Sequence, residues 1–344
     1  WLLLGIINGC VLSQRVTPFG FTDLKCISDL LTMTNTQYFT KTQEICVVIL
    51  LSALLVFLII FALKGPKFQG HPHKVRAVCF CAAMGVLMSA ATTMAHSSER
   101  MASYFANIAQ GYSDYGFVYG FSSSVMDRGM SKPEDYSEST IKAIKQSVAQ
   151  AKEESASYKI AQSDQVISDS AKKQQPNIVC VLLESFMDPT EINFLKFSED
   201  PIPNFRALSE QFTSGYLSVP VVGAGTANSE FEVLTGMNLR FFGTGEYPYK
   251  TILKETNCES IASDLSDLGY GTHVVHNNGG NFYSRTNAFS QFGFDTFISK
   301  ELMNIQEYTP LGSWPTDDIL IGETKKALDS TPDQSDFVYT ITVQ

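Results

Sequence analysis

Pro176-Asn177-Ile178-Val179-Cys180-Val181-Leu182-Leu183-Glu184-Ser185-Phe186 is the stretch on which the fold of this chain turns. Ile178–Leu183 is a short, wholly apolar run of strand character, and a carboxylate, Glu184, follows it at once. Downstream the pattern keeps alternating. Pro203–Phe212 predicts a helix, Tyr216–Val222 a strand, Ala227–Leu234 and Ser260–Leu268 helices, Gly271–His276 a strand, and Phe337–Val343 a further β-rich run. Such alternation predicts an α/β domain with a largely parallel central sheet. Ligands of these sheets gather beyond the carboxyl ends of the strands, so the residues just after each strand are the candidates for chemistry.

Toward the N-terminus the composition changes. Ile45–Leu63 has no charged residue and is rich in Leu, Ile and Val, long enough as a helix to cross a hydrocarbon core of about 30 Å. Ala77–Ala95 is also uncharged but richer in Ala, Gly, Ser and Met, a composition suited to a helix packed on other helices. A buried helix of a soluble domain is the competing reading. Trp1–Leu12 is apolar and too short to span alone, so it reads as the end of a helix. Lys64, Lys67, Lys74 and Arg76 crowd the segment between the two spans, and a dense basic loop belongs on the cytoplasmic side. Everything after Ala95 is then expected outside the cell.

Gly111, Gly116 and Gly120, set among aromatic residues, predict an irregular segment that hugs the membrane surface or the domain. Ile141, Ile144, Val148 and Ala151 recur at helical spacing and predict an amphipathic connector helix. The expected organisation is a membrane region over 1–97, a connector over 98–175, and an extracytoplasmic domain over 176–344. The chain starts at Trp1, not Met, and both ends read as cut.

A formal charge of −10, with no clustered Lys and Arg, excludes nucleic acid as a partner. The seven cysteines show no C-x-x-C spacing, so neither a thiolate metal site nor a disulfide framework is expected. Cys180 reads as a buried strand residue.

Three places can carry chemistry. Glu184 offers an anionic oxygen to a hard divalent cation, though a glutamate after a strand is more often a solvated loop charge. Gly223-Ala224-Gly225-Thr226 permits a tight strand-to-helix turn that leaves Thr226 at a helix start, where free N–H groups favour a phosphate. Capping and nucleophilic attack need much the same placement, and local sequence does not separate them. A Thr hydroxyl also needs a base or metal to become a nucleophile, so a metal-binding constellation is part of this reading. Finally, His276 ends a strand, and Tyr283 and Arg285 follow in a loop; Arg285 is suited to hold a phosphate and Tyr283 to line the same pocket.

With these residues in view, the chain from about Asn8 onward resembles the lipoteichoic acid synthase family, a branch of the alkaline phosphatase and sulfatase superfamily. The landmarks are Arg15-Val16-Thr17-Pro18-Phe19 with Asp23-Leu24, residues 176–186, Gly225-Thr226-Ala227-Asn228-Ser229-Glu230-Phe231-Glu232, and Phe282-Tyr283-Ser284-Arg285 followed by Phe292-Gly293-Phe294-Asp295. The resemblance implies N-terminal transmembrane helices followed by a sulfatase-like α/β domain, incomplete at its C-terminus, in a multi-pass protein of a Gram-positive bacterium. It implies Glu184 and Thr226 as ligands of a divalent metal, Mn2+ or Mg2+ ahead of Zn2+, and Thr226 as the nucleophile. Tyr283, where the family has Trp, Arg285 and His276 are implied as substrate-binding residues. The Asp-His pair and further His of the superfamily find no match before Gln344; they are expected beyond it, and the segment as it stands is expected to be inactive.

The activity implied is transfer of glycerol phosphate from phosphatidylglycerol to a cell-envelope polymer or glycolipid. Alternatives are a phosphoethanolamine transferase, a sulfatase-like hydrolase, and a receptor or scaffold on a degenerate phosphatase fold. Sulfatases use a modified Cys or Ser in a C-x-P-x-R motif, against the Thr226-Ala227-Asn228-Ser229 seen here.

Overall fold

The computed structural model describes residues 1–13, 15–25, 41–65, 74–98, 101–102, 105, 107–127, 129–130, 133–162, 175–221, 225–310 and 314–343. Its helical N-terminal half comprises α1 (Leu2–Leu12), α2 (Phe21–Lys25), α3 (Lys41–Lys64), α4 (Lys74–Ser97), α5 (Ile108–Met126) and α6 (Glu138–Gln162). Lys74–Ala95 is long and apolar enough to cross a membrane; Leu3–Leu12 and Ser52–Phe61 are shorter apolar stretches. Apolar side chains all round these helices stay exposed, among them Leu54, Phe57, Phe61, Val78 and Phe80, and a helix apolar on every side is at rest only in an apolar surrounding. Most of the predicted cytoplasmic loop, with Lys67, lies outside the described residues, as do Gly223 and Ala224.

The segment with Gly111, Gly116 and Gly120 is not irregular; it is the helix α5. Asn107 starts it by accepting from the Gln110 amide at 3.1 Å, and a break at Gly116 (φ 81°, ψ 157°) bends it. The other two glycines mark close packing instead of breaks. A Cβ at Gly111 would strike the Phe105 ring, and one at Gly120 would come within 2.6 Å of the Tyr112 ring. The aromatics that suggested a membrane surface pack on one another, with Phe105 against Tyr112, Tyr115 and Tyr119 at 5.8–6.3 Å.

After β1 (Ile178–Leu182) come α7 (Pro203–Gln211), α8 (Thr226–Thr235), α9 (Ile261–Asp267), β2 (Gly271–His276), α10 (Arg285–Gln291), β3 (Thr296–Ser299), α11 (Asp318–Asp329) and β4 (Asp336–Ile341). The described strands form one fully parallel sheet of order β1-β4-β2-β3. Val222 lies outside the described residues, and the run 216–221 is not part of the sheet. Its alternation has no strand beside it among the described residues, and Tyr216 and Leu217 stand in solvent.

The strand period of two explains how the core divides. Phe337, Tyr339 and Ile341 of β4 point with Val274 into a cluster covered by Ala227, Phe231 and Leu234 of α8, Ala262 of α9 and Phe289 of α10. Val338 and Val275 point the other way, against Leu320 and Ala327 of α11. Helices on both faces bury every residue of β2 and β4, the arrangement parallel sheets require. At the edge, β1 has β4 as its one partner among the described residues, and Val179 and Val181 stay 45% and 50% exposed. Cys180 is only half-buried, against the cluster that includes Phe337.

Candidate active site

Three strand ends meet here. The Thr342 amide, just after β4, donates to Leu182 O at 3.0 Å, and the Glu184 amide donates to Thr342 Oγ1 at 2.9 Å. This clasp holds Glu184 at the mouth of the sheet. Opposite it, Gly225 turns the chain with φ 85°, ψ 32°. A side chain there is excluded twice, by the left-handed backbone and by Tyr247 Oη, 3.1 Å from where a Cβ would stand. Thr226 then opens α8. Its hydroxyl makes no cap to the helix; it donates to Glu184 Oε1. The side chain faces the carboxylate and not the helix amides. Of residues 225–230, Thr226 alone is not fully buried.

Arg285 begins α10 and is wholly buried. Nη2 donates to Glu230 Oε1 at 2.5 Å and Nε to Glu230 Oε2 at 3.2 Å, while Nη2 lies 4.0 Å from Glu184 Oε2. Tyr249 Oη adds a 3.2 Å bond to Glu230 Oε2. Nη1 is buried with no partner among the described residues. Glu230 had no role in the sequence reading. It sits one helical turn after Thr226 and 55 positions before Arg285, so nothing local links the two.

Charges here are strongly coupled. Burial pushes the Glu184 carboxyl up, and Glu230 and Asp317 push it further, while Arg285 and the Thr226 hydroxyl pull it back. Burial would lower the Arg285 guanidinium, but Glu230 more than offsets that and holds it above its ordinary value. His276 ends β2, fully buried, with Nδ1 3.0 Å from Ile341 O. A carbonyl only accepts, so Nδ1 carries the hydrogen and Nε2 is a bare acceptor with no partner among the described residues. Burial first, and Arg285 second, push its pKa well down. His273 is occupied within the sheet, by Thr296 Oγ1 at 2.7 Å and Asp336 Oδ1 at 3.3 Å.

Tyr283 stacks on Tyr247 with ring centres 5.5 Å apart, and the Arg285 guanidinium lies 5.4 Å from the Tyr283 ring centre. Tyr283 and Ser284 both have left-handed backbones, φ 55° and 58°. Each costs roughly 1–2 kcal/mol in a residue with a side chain. Ser284→Gly is therefore expected to stabilise the domain by about 1 kcal/mol net of the freer unfolded chain, raising the melting temperature by roughly 2–4 °C; thermal unfolding checks this.

The geometry brings together Glu184, Thr226 and Arg285, with Tyr283 on its wall and His276 within range of Arg285's charge. Asp317 joins it unanticipated, its Oδ1 accepting from Asn277 Nδ2 at 2.9 Å and the Val343 amide at 3.1 Å. Among the described residues no group of three or more His, Cys, Asp or Glu gathers that could hold a metal ion. Glu184 and Thr226 do offer two touching oxygens, hard donors of the kind a divalent cation takes.

Residues 176–344 match the sulfatase family model. A Rhizobium meliloti (strain 1021) protein named for cyclic beta-1,2-glucan modification is 32% identical over 170 residues, 49% of this chain and 25% of the relative. Among solved structures, the Streptococcus pyogenes phosphoglycerol transferase GacH in complex with sn-glycerol-1-phosphate is 25% identical, with TM-score 0.48 over 63% of this chain and 54% of that one. The lipoteichoic acid synthase LtaP from Listeria monocytogenes is 21% identical, with TM-score 0.41 over 49% and 41%. The chain thus spans a quarter of the curated relative and about half of each solved one.

Proposed function

We propose, from the match of residues 176–344 to the sulfatase family model, that the chain is part of a membrane-anchored phosphotransferase of the lipoteichoic acid synthase type, within the alkaline phosphatase superfamily, moving glycerol phosphate from phosphatidylglycerol to a hydroxyl of an envelope polymer or glycan. The observation that carries this reading is the Thr226 hydroxyl, turned away from its helix onto Glu184 beside a buried arginine with a spare donor. A lipid donor gives the apolar N-terminal helices a use, because the site must stay at the bilayer surface. The glucan named for the Rhizobium relative supports a glycan among the acceptors.

When bound, a divalent cation held by Glu184 and Thr226 would supply Lewis-acid activation of the Thr226 oxygen. Arg285 Nη1 donates to a non-bridging phosphoryl oxygen, and Nη2 and Nε keep the guanidinium still by their bonds to Glu230. The start of α8 presents its amides to the same group. As the bond from Thr226 Oγ1 to phosphorus forms, the bond from phosphorus to the diacylglycerol oxygen breaks, and the Thr226 proton ends on diacylglycerol. In the second step the acceptor oxygen bonds to phosphorus, the bond to Thr226 Oγ1 breaks, and the acceptor's proton returns to Thr226. Tyr283 and Tyr247 wall the pocket while this happens.

The test is a donor comparison with the complete protein in vesicles containing Mn2+. Diacylglycerol release from phosphatidylglycerol is expected to exceed release from phosphatidylethanolamine, and aryl sulfate is expected to stay intact. Preference for phosphatidylethanolamine would identify a phosphoethanolamine transferase, and aryl sulfate turnover a hydrolase.

A further inference from the structure

A narrow cleft opens where the segment before α2 meets the catalytic domain, lined by Arg15, Thr17, Asn228, Thr244 and Tyr247 among others. Its outer wall is rigid. Arg15 Nε donates to Thr17 O at 2.9 Å, and Nη2 donates to Pro18 O at 3.3 Å and Asp23 Oδ2 at 2.7 Å. The same Asp23 oxygen accepts from the Gly20 amide, and Asn8 Oδ1 accepts from the Phe19 amide, each at 2.8 Å. The Phe21 amide ties the segment to Ser124 Oγ of α5 at 3.0 Å. On the far side, Asp127 at the end of α5 accepts from the Thr244 amide and hydroxyl at 3.0 and 2.7 Å.

Two buried polar atoms in this lining have no partner among the described residues, Thr17 Oγ1 and Asn228 Oδ1. Buried polar atoms are seldom left so. Asn228 Nδ2 is spent on Glu246 O at 2.9 Å, which fixes the amide so that its oxygen is the free end. That oxygen only accepts, so its ligand must bring a donor. An ionised phosphate or carboxylate has none, whereas an alcohol brings a donor for Asn228 Oδ1 and keeps lone pairs for the Thr17 hydroxyl, which can donate or accept. Asn228 and Tyr247, whose Oη approaches Gly225, put the cleft beside the first turn of α8, which Thr226 opens. Its enclosed part holds about 30 Å³, more than the roughly 10–15 Å³ a water needs and too little for a sugar ring.

We infer that this cleft receives one hydroxyl-bearing arm of a polyol or glycan acceptor, with Thr17, Asn228 and Arg15 as its polar contacts. The inference rests on the transfer reaction proposed above and adds where the second substrate enters. It makes the membrane-side segment part of the site.

Thr17→Val removes the hydroxyl at nearly constant shape. In the complete protein with phosphatidylglycerol vesicles and Mn2+, the first step is read as a burst of one diacylglycerol per protein. The second is read as transfer to glycerol or to methyl β-glucoside. The variant is expected to keep the burst and raise acceptor KM about threefold to tenfold, and Thr17→Ser is expected to restore it. An effect on glycerol alone points to a polyol, and one on the glucoside to a glycan. A burst that falls in parallel would move the cleft to the donor side and overturn the inference. A normal burst with unchanged KM for both acceptors would overturn the inference and leave the transfer reading standing. No burst in the unmodified protein would remove both.

Discussion

Thr226→Ala is expected to lower diacylglycerol release from phosphatidylglycerol by more than about a thousandfold in the complete protein, because losing the nucleophile removes the covalent route and not merely a contact. Stability is expected to change little. The Thr226 hydroxyl bonds Glu184 and caps nothing, so the helix start keeps its Gly225 turn and its Asn228-to-Gly225 backbone bond of 2.8 Å. Glu184 is partly open to solvent and can rehydrate. The measurement pairs a lipid assay with thermal unfolding, and Thr226→Ser should recover part of the rate. Undiminished turnover in the alanine variant would refute the assigned nucleophile.

Glu230→Ala is expected to cost about 3–5 kcal/mol, the usual consequence of leaving one member of a buried ion pair uncompensated. Arg285 is sealed from water, both of its bonded nitrogens go to Glu230, and Tyr249 also loses its acceptor. Against a domain stability of about 5–15 kcal/mol, this is a large share. Denaturant midpoints measure it. The double change Glu230→Leu with Arg285→Met is expected to recover much of the loss, since an apolar replacement of a buried pair is often neutral, and yet to remain inactive for want of the phosphate ligand. Full stability in Glu230→Ala would show that the pair does not hold the site.

β4 was legible because a strand covered on both faces must be largely apolar, as Phe337–Ile341 is but for Thr340, and β2 from its β-branched Thr272, Val274 and Val275. β3 escaped notice. It has four residues, one exposed and two half-buried, and only the pair Phe297-Ile298 to announce it. Tyr216–Val222 misled for the opposite reason, since a β-like pattern becomes a strand only when another strand lies beside it. Gly111 and Gly120 suggested an irregular segment because a glycine that admits a ring looks the same in sequence as one that ends a helix.

At the site, Glu184, Thr226 and Arg285 were legible from their positions after strands or turns. Glu230 and Asp317 were not. Each earns its place through a partner that is remote in the chain, Arg285 in one case and Asn277 in the other. Asn228 was quoted only as part of a motif, and its free oxygen has meaning only beside Thr17.

The carboxylate that meets Thr226 follows an edge strand of the described sheet. A central strand must shed two ladders before it moves, but β1 peels away by losing the one it shares with β4. Mild denaturant or warming should therefore silence the enzyme while the rest of the sheet still holds, with inactivation running ahead of global unfolding.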